Sequence, residues 1–570
     1  MSFLPACRLL LLGSICLLPA CRPDAPDRRA VAAERGMVVS ATGWASEIGA
    51  AVLREGGNAF DAAVAVQFAL AVTFPRAGNI GGGGFAVYRL ADGQAGALDF
   101  REKAGMAAHR DMYLDEAGEV VPDKSLLGHA AAGVPGSVDG MYRLHGRFGS
   151  LPMARLLAPS IALARGGMPV SASLAALLNE HRAALLAVND SSAPNPFLEN
   201  EAWQAGDTLR QPDLARTLER LRDLGRDDFY QGETAALLVA EMRRGGGIIT
   251  LDDLRQYESV WRNPIVGEYR GCRVISMPPP SSGGVALLQL LRGIEPYPIG
   301  EWGHNSVRAL HAMTEVERRV YADRATYLGD PDFHPVPVEM LLDPVYVRRR
   351  MSDIDLEAKT PSSAIKEGRV DVVESVETTH FSIVDAQGNA VSITTTLNGY
   401  FGCKVLVAGA GFFLNNEMDD FSVKPGVPNQ FGLVGAEANA IQPGKRMLSS
   451  MTPTIVEKDG QLFLVLGSPG GSTIITSVFQ TILNVVDHGM PLQRAVDAAR
   501  AHHQWLPDRI LLEPDSLPAA VGAGLRGLGH ELEVRDVALG KIEAIMRLPD
   551  GTLLGAPDDL RGYDDRAVGH

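Results

Sequence analysis

Thr378-Thr379-His380-Phe381-Ser382-Ile383-Val384 is a β-favouring run, Asp385-Ala386-Gln387-Gly388-Asn389 is a turn, and Ala390-Val391-Ser392-Ile393-Thr394-Thr395-Thr396 is a second strand rich in β-branched residues. Immediately upstream, residues 356–377 include Glu357, Lys359, Pro361, Ser362, Ser363, Lys366, Glu367 and Arg369, a composition that predicts a polar, exposed, cleavable linker. A linker therefore runs directly into a sheet. Taken alone, the pattern also fits a surface loop entering an ordinary hairpin.

Working outward, other segments repeat the alternation of strand and helix. Ser46 to Arg54, closed by Glu55-Gly56-Gly57-Asn58, and the Ala/Val-rich Asp61 to Thr73 read as helices, the second buried on most sides. Gly81 to Gly84 lead into a strand Phe85–Leu90, a turn at Asp92-Gly93 and a strand ending near Asp99-Phe100-Arg101. Residues 125–355 read as mostly helical, broken by a rigid loop at Pro278 to Gly284. Downstream, Gly467-Ser468-Pro469-Gly470-Gly471-Ser472 precedes a helical stretch Thr473 to Val486. Two glycines there suit a plain N-terminal turn, or a phosphate cradle, although the P-loop lysine is missing; two glycine N–H groups backed by a helix dipole also suit an oxyanion.

The 570 residues are 46% hydrophobic and 21% charged, enough to bury a large core, and the 61 glycines, 35 prolines and 6% aromatics suit a layered α/β enzyme. Asp+Glu 68 against Lys+Arg 53 gives a net charge of -15 with no basic run, which argues against a nucleic-acid partner. Residues 1–20 read as a secretory signal, with Arg8 before the apolar run Leu9 to Leu18. Leu18-Pro19-Ala20-Cys21 resembles a bacterial lipobox, Pro19 being an unusual occupant; it predicts a lipidated Cys21, a tether over 21–35 and anchoring at the outer membrane, with ordinary cleavage after Ala20 as the other reading. Once the signal is removed, only Cys272 and Cys403 remain to pair or stay free. His502-His503 has no metal spacing, because adjacent side chains diverge, and a structural role is expected.

Several segments then resemble, in order and from about Gly36 to near the C-terminus, the signature segments of the bacterial γ-glutamyltranspeptidases: Ala77 to Phe85, Asp99 to Glu102, Thr378 to Ser382, Asn415 to Ser422, Leu448 to Thr454 and Gly467 to Ser472. The resemblance implies an N-terminal-nucleophile hydrolase fold, a four-layer α-β-β-α sandwich. It also implies a proenzyme that cuts itself before Thr378 into an associated heavy subunit (36–377) and light subunit (378–570). By the same resemblance Thr378 is the nucleophile, Thr396 orients its hydroxyl, and Gly470 and Gly471 form the oxyanion hole. Arg101, Ser449 and Ser450 hold the substrate's α-carboxylate, and Asn398, Glu417 and Asp420 its α-ammonium.

The chemistry has its own logic. Breaking the bond after Glu377 gives Thr378 a free α-amine of intrinsic pKa ~7.7–8.0 beside its own hydroxyl, so one residue supplies nucleophile and base. Three departures from the family pattern stand out. Glu417 replaces a glutamine of some relatives, Glu377 replaces a glutamine before the nucleophile, and Phe431, within a lid-like loop (425–438), replaces a tyrosine that latches to the equivalent of Asn398. The sequence therefore predicts an exported, periplasmic γ-glutamyl hydrolase and transferase, without metal or other cofactor. Its donors are glutathione and related γ-glutamyl compounds, and its acceptors water, amino acids or dipeptides. A β-lactam side-chain acylase of the same fold and a non-catalytic solute-binding lipoprotein are the alternatives.

Overall fold

A computed structural model describes residues 30–365, 378–424, 426–561 and 564–570; residues 1–29, with Cys21 and the signal, and the linker from Lys366 to Glu377 lie outside the described residues. Two seven-stranded antiparallel sheets form the centre. One runs in the spatial order Arg566–Gly569, Met37–Ser40, Thr379–Val384, Ala390–Thr396, Gly83–Arg89, Ala95–Phe100, Val260–Arg262. The other runs Val31–Ala33, Leu553–Ala556, Ala544–Arg547, Gln461–Leu466, Thr454–Lys458, Cys272–Ser276, Ile265–Tyr269.

The period-two alternation of each strand builds the layers. Val39, Val87, Ile455, Val465 and Ile545 meet between the sheets. Their neighbours Val38 and Ala86 face the helices Gly43–Arg54 and Ala59–Thr73, while Val456 and Leu464 face Gly283–Ile294, Val307–Tyr327 and Thr473–Val486. The result is the four-layer α-β-β-α sandwich. Its central strands are buried on both faces, as the continuous burial of Thr379–Val384 and Ala390–Thr396 shows.

Three local readings need correction. The helix expected from Asp61 begins at Ala59, because the Asn58 side chain accepts from Phe60 and Asp61 N–H while Asp61 accepts from Asn58 N–H, a reciprocal cap. Val31–Ala33, placed in the tether, is an edge strand paired with Leu553–Gly555. Residues 356–365 of the expected linker are partly tied down. Glu357, Pro361 and Ser363 are exposed, but Thr360 N–H donates to Glu315 at 3.0 Å and the buried Ser362 donates its hydroxyl to Trp505 O at 2.6 Å. Cys272 and Cys403 are both buried and free.

Candidate active site

Thr378 stands one residue before its strand. The register Thr379↔Thr395 directs it to Thr396 at the end of the hairpin. Thr396 Oγ1 accepts Asn398 N–H at 2.7 Å, and Asn398, in a left-handed conformation (φ 74°), donates its amide to Asn416 O at 3.1 Å. Across from them the turn at Gly470 (φ 138°) and Gly471 (φ 52°) starts the helix Thr473–Val486, its carbonyls accepting Thr473 and Ile474 N–H. A Cβ on Gly471 would lie 2.4 Å from the Phe431 ring, so the wall on that side needs glycine. Thr378, Thr396, Asn398, Gly471, Phe431, Arg101, Glu417, Asp420, Ser449 and Ser450 all line one pocket with a free volume of about 30 Å³. Gly470 adjoins it through Gly471.

Burial governs the electrostatics. Arg101 is 1% exposed and faces three carboxylates: Asp420 at 2.5 Å, Glu417 at 2.6 Å and Glu102 at 3.5 Å. Asp420 accepts an aligned hydrogen bond from Arg101 Nη2. Glu417 meets the same guanidinium at 2.6 Å without an aligned hydrogen bond from it. Burial pushes the Glu417 carboxyl well above its ordinary range against the pull of Arg101, and raises Glu102 to about 7 for the same reason. The Arg101 guanidinium is more firmly protonated than usual, its desolvation outweighed by the attraction of Glu417, Glu102 and Asp420. The sequence reading placed Arg101 with Ser449 and Ser450 and set the acids apart. In the structure the guanidinium sits directly against Asp420 and Glu417, because buried charge of one sign draws in the other.

Sequence reasoning missed a second guanidinium. Arg324, on the helix Val307–Tyr327, lines the same pocket and donates to Ser450 Oγ at 3.0 Å and Ser282 Oγ at 2.9 Å; burial lowers its pKa to about 10. Nothing local distinguishes it from a surface arginine. The lid-like loop is held as well. Asn429 donates to Asp420 Oδ1 at 3.1 Å, Gln430 N–H to Asp419 at 2.9 Å, and Gln504 to Phe431 O at 3.1 Å. Phe431 lacks a phenolic latch, but other residues fasten the loop.

The histidine pair is structural. His502 bonds Thr476 Oγ1 and Gln504, His503 contacts Asp508, and burial lowers the two imidazoles to about 4 and about 3. Among the described residues His311, Glu315 and His530 lie close enough to share a metal. Glu315 is committed to Arg319 at 2.7 Å and Arg318 at 3.4 Å, and the imidazoles to each other at 2.7 Å, so a cation there would face two guanidinium groups.

A threonine opening a buried strand in one of two facing antiparallel sheets, with a glycine turn at a helix N-terminus across the pocket, defines the class of N-terminal-nucleophile hydrolases. Within it the chain belongs to the γ-glutamyltranspeptidase family, whose sequence model, described as Gamma-glutamyltranspeptidase, matches residues 45–568. The chain is 44% identical over 569 residues to the glutathione hydrolase proenzyme of Escherichia coli, covering 98% of each. It is 47% identical over 539 residues to the protein of the same name from Pseudomonas aeruginosa, covering 94% of each. The crystal structure of a cephalosporin acylase from Bacillus halodurans superposes with a TM-score of 0.83 at 27% identity, covering 97% of this chain and 99% of that one.

Proposed function

We propose that Thr378, freed by cleavage of the bond after Glu377, is the nucleophile of a γ-glutamyltransferase and glutathione hydrolase. The observation that carries this reading is the single pocket joining Thr378 to a buried guanidinium–carboxylate cluster. That cluster has the charges to hold both α-substituents of a glutamyl head. The substrate carboxylate takes Arg101 and the Ser449–Ser450 pair, with Arg324 behind it, and the ammonium replaces Arg101 as partner of Glu417 and Asp420. Because the Arg101 guanidinium already occupies both carboxylates, binding exchanges partners, and the head enters as the Asn429–Leu433 loop lifts.

Thr378 Oγ then attacks the γ-carbonyl carbon and passes its proton to the residue's own α-amine, and the oxyanion is met by the Gly470 and Gly471 N–H groups. Collapse expels the amine, which carries that proton away and leaves a γ-glutamyl-Thr378 ester. Water gives hydrolysis and an amino acid or dipeptide gives transfer. Self-cleavage uses the same hydroxyl on the preceding carbonyl: the acyl group of Glu377 moves from the Thr378 nitrogen to Oγ, freeing the α-amine, and water then hydrolyses the ester, yielding a heavy subunit that ends at Glu377 and a light subunit 378–570 that stay associated through the shared sheet. We also infer export on the 1–20 signal and a lipid anchor at Cys21, holding the enzyme in the periplasm. Incubating purified protein with glutathione tests the activity: glutamate and cysteinylglycine should appear, and glycylglycine should divert part of the glutamate into γ-glutamylglycylglycine. Release of neither product contradicts the reading.

A further inference from the structure

One largely buried loop, residues 503–509, joins the strands Ala501–His502 and Ile510–Leu512 and holds two separate parts of the chain on successive residues. On one side Gln504 fastens the lid-like loop. Its Oε1 accepts His502 Nε2–H at 2.9 Å, which leaves the amide nitrogen to donate to Phe431 O at 3.1 Å. On the other side Trp505 grips Ser362, upstream of the proposed cut, and every polar atom of that buried serine is engaged. Its hydroxyl donates to Trp505 O at 2.6 Å and accepts Arg318 Nη1 at 2.7 Å, its N–H donates to Asp508 Oδ2 at 3.0 Å, and its carbonyl accepts the Trp505 indole N–H at 3.1 Å.

The backbone between the two fastenings is not relaxed. Trp505 has φ 72°, a left-handed conformation that a bulky residue keeps only where its surroundings impose it. The Ser362 hydroxyl on its carbonyl, the Ser362 carbonyl on its indole, and His503 Nδ1, which accepts Trp505 N–H at 3.1 Å, impose it together. Gln504 directly precedes this residue, and its carbonyl accepts Leu506 N–H at 2.9 Å across it. Relaxation of Trp505 therefore turns Gln504 away from Phe431. Ser362 in turn is a fixed post, because Thr360 accepts Arg319 Nη2 at 3.0 Å and donates its N–H to Glu315 at 3.0 Å.

We propose that Ser362 is a positioning residue for the lid: the tail of the heavy subunit, acting through Trp505 and Gln504, holds the Asn429–Leu433 loop of the light subunit down over the acyl-enzyme. The consequence, protection of the ester from water, rests on the function proposed above, whereas the fastening is a property of the fold. Ser362 does not line the pocket and touches no reacting atom.

Hydrogen exchange read by mass spectrometry on the matured protein tests the fastening. In Ser362→Ala the amides of residues 429–433 should exchange about two- to ten-fold faster than in wild type, the scale of one buried hydrogen bond, with the strand Ala390–Thr396 unchanged. Gln504→Leu should do the same, and Ser362→Ala added to it should cause no further rise, because the bond through which Ser362 acts is already gone. Trp505→Phe, which removes the indole N–H and keeps an aromatic ring, should give a smaller rise in the same segment and carries the test if Ser362→Ala does not fold or mature. With γ-glutamyl-p-nitroanilide as donor and glycylglycine as acceptor, the transfer-to-hydrolysis ratio should fall by the factor by which exchange rises. Unchanged exchange in Ser362→Ala and Trp505→Phe overturns the proposal, as does an equal rise with and without Gln504, or faster exchange with an unchanged ratio. Should wild type release no p-nitroaniline, the proposed function fails, while exchange still decides the fastening.

Discussion

Asp420→Asn separates a γ-glutamyl site from a plain acyl pocket. Asp420 accepts Arg101 Nη2 at 2.5 Å and Asn429 Nδ2 at 3.1 Å at the end of the short 3₁₀ turn Glu417–Asp420. The amide keeps the shape and one acceptor but removes a negative charge. In the substrate complex the ammonium would lose one charge-assisted hydrogen bond, about 1.5–3 kcal/mol, or roughly ten- to a hundred-fold in kcat/KM. A glutaryl amide has no ammonium, so its turnover should change by less than this. The assay is p-nitroaniline release from γ-glutamyl- and glutaryl-p-nitroanilide by both proteins. The γ-glutamyl preference should fall by the stated factor in the variant. If both substrates slow equally, Asp420 acts through Arg101 and the loop and not on the ammonium; if neither slows, the assignment of the head-binding cluster is wrong.

Other outcomes follow from the same geometry. Gly471→Ala places a methyl against the Phe431 ring in a left-handed conformation and should cost at least the roughly hundred-fold loss of an oxyanion donor, read as kcat, with heavy and light chains still associated. Because Gln504 holds Phe431 O and Asn429 holds Asp420, Phe431→Tyr should move the transfer-to-hydrolysis ratio less than about two-fold, whereas Gln504→Leu should lower it several-fold, about the effect of one buried hydrogen bond. Glu102, raised from 4.5 to about 7, keeps its proton in the folded state across a pH range where the unfolded chain gives it up, so stability falls as pH rises through that window. Glu102→Gln should flatten the Tm profile between those values.

The hairpin at Thr378 with its second strand Ala390–Thr396 was legible from β-branched residues on either side of strong turn residues, and the helix Thr473–Val486 from the glycine turn that precedes it. Helix starts were less so: the cap at Asn58 lies before the apolar run, and only the reciprocal bond with Asp61 shows that the helix begins at Ala59. The members of the Arg101 cluster stood out through their motifs. Its internal pairing did not, since Arg101 and Glu417 are joined only by the fold. Arg324 was invisible. The helix Val307–Tyr327 buries Glu315, Arg318, Arg319 and Arg324 against partners as distant as Asp508 and Ser450, so its charges mimic a solvated face in sequence.

The central claim is that one hydroxyl, that of Thr378, cuts the chain and carries the acyl group. Intact-mass analysis with N-terminal sequencing, on wild type and Thr378→Ala before and after quenching with a γ-glutamyl donor, tests it most directly. The account predicts a light chain beginning at Thr378, one γ-glutamyl group on that chain after the quench, and a single uncut, unlabelled chain for Thr378→Ala. A light chain beginning at another residue, or an acyl group retained by the alanine variant, would contradict it.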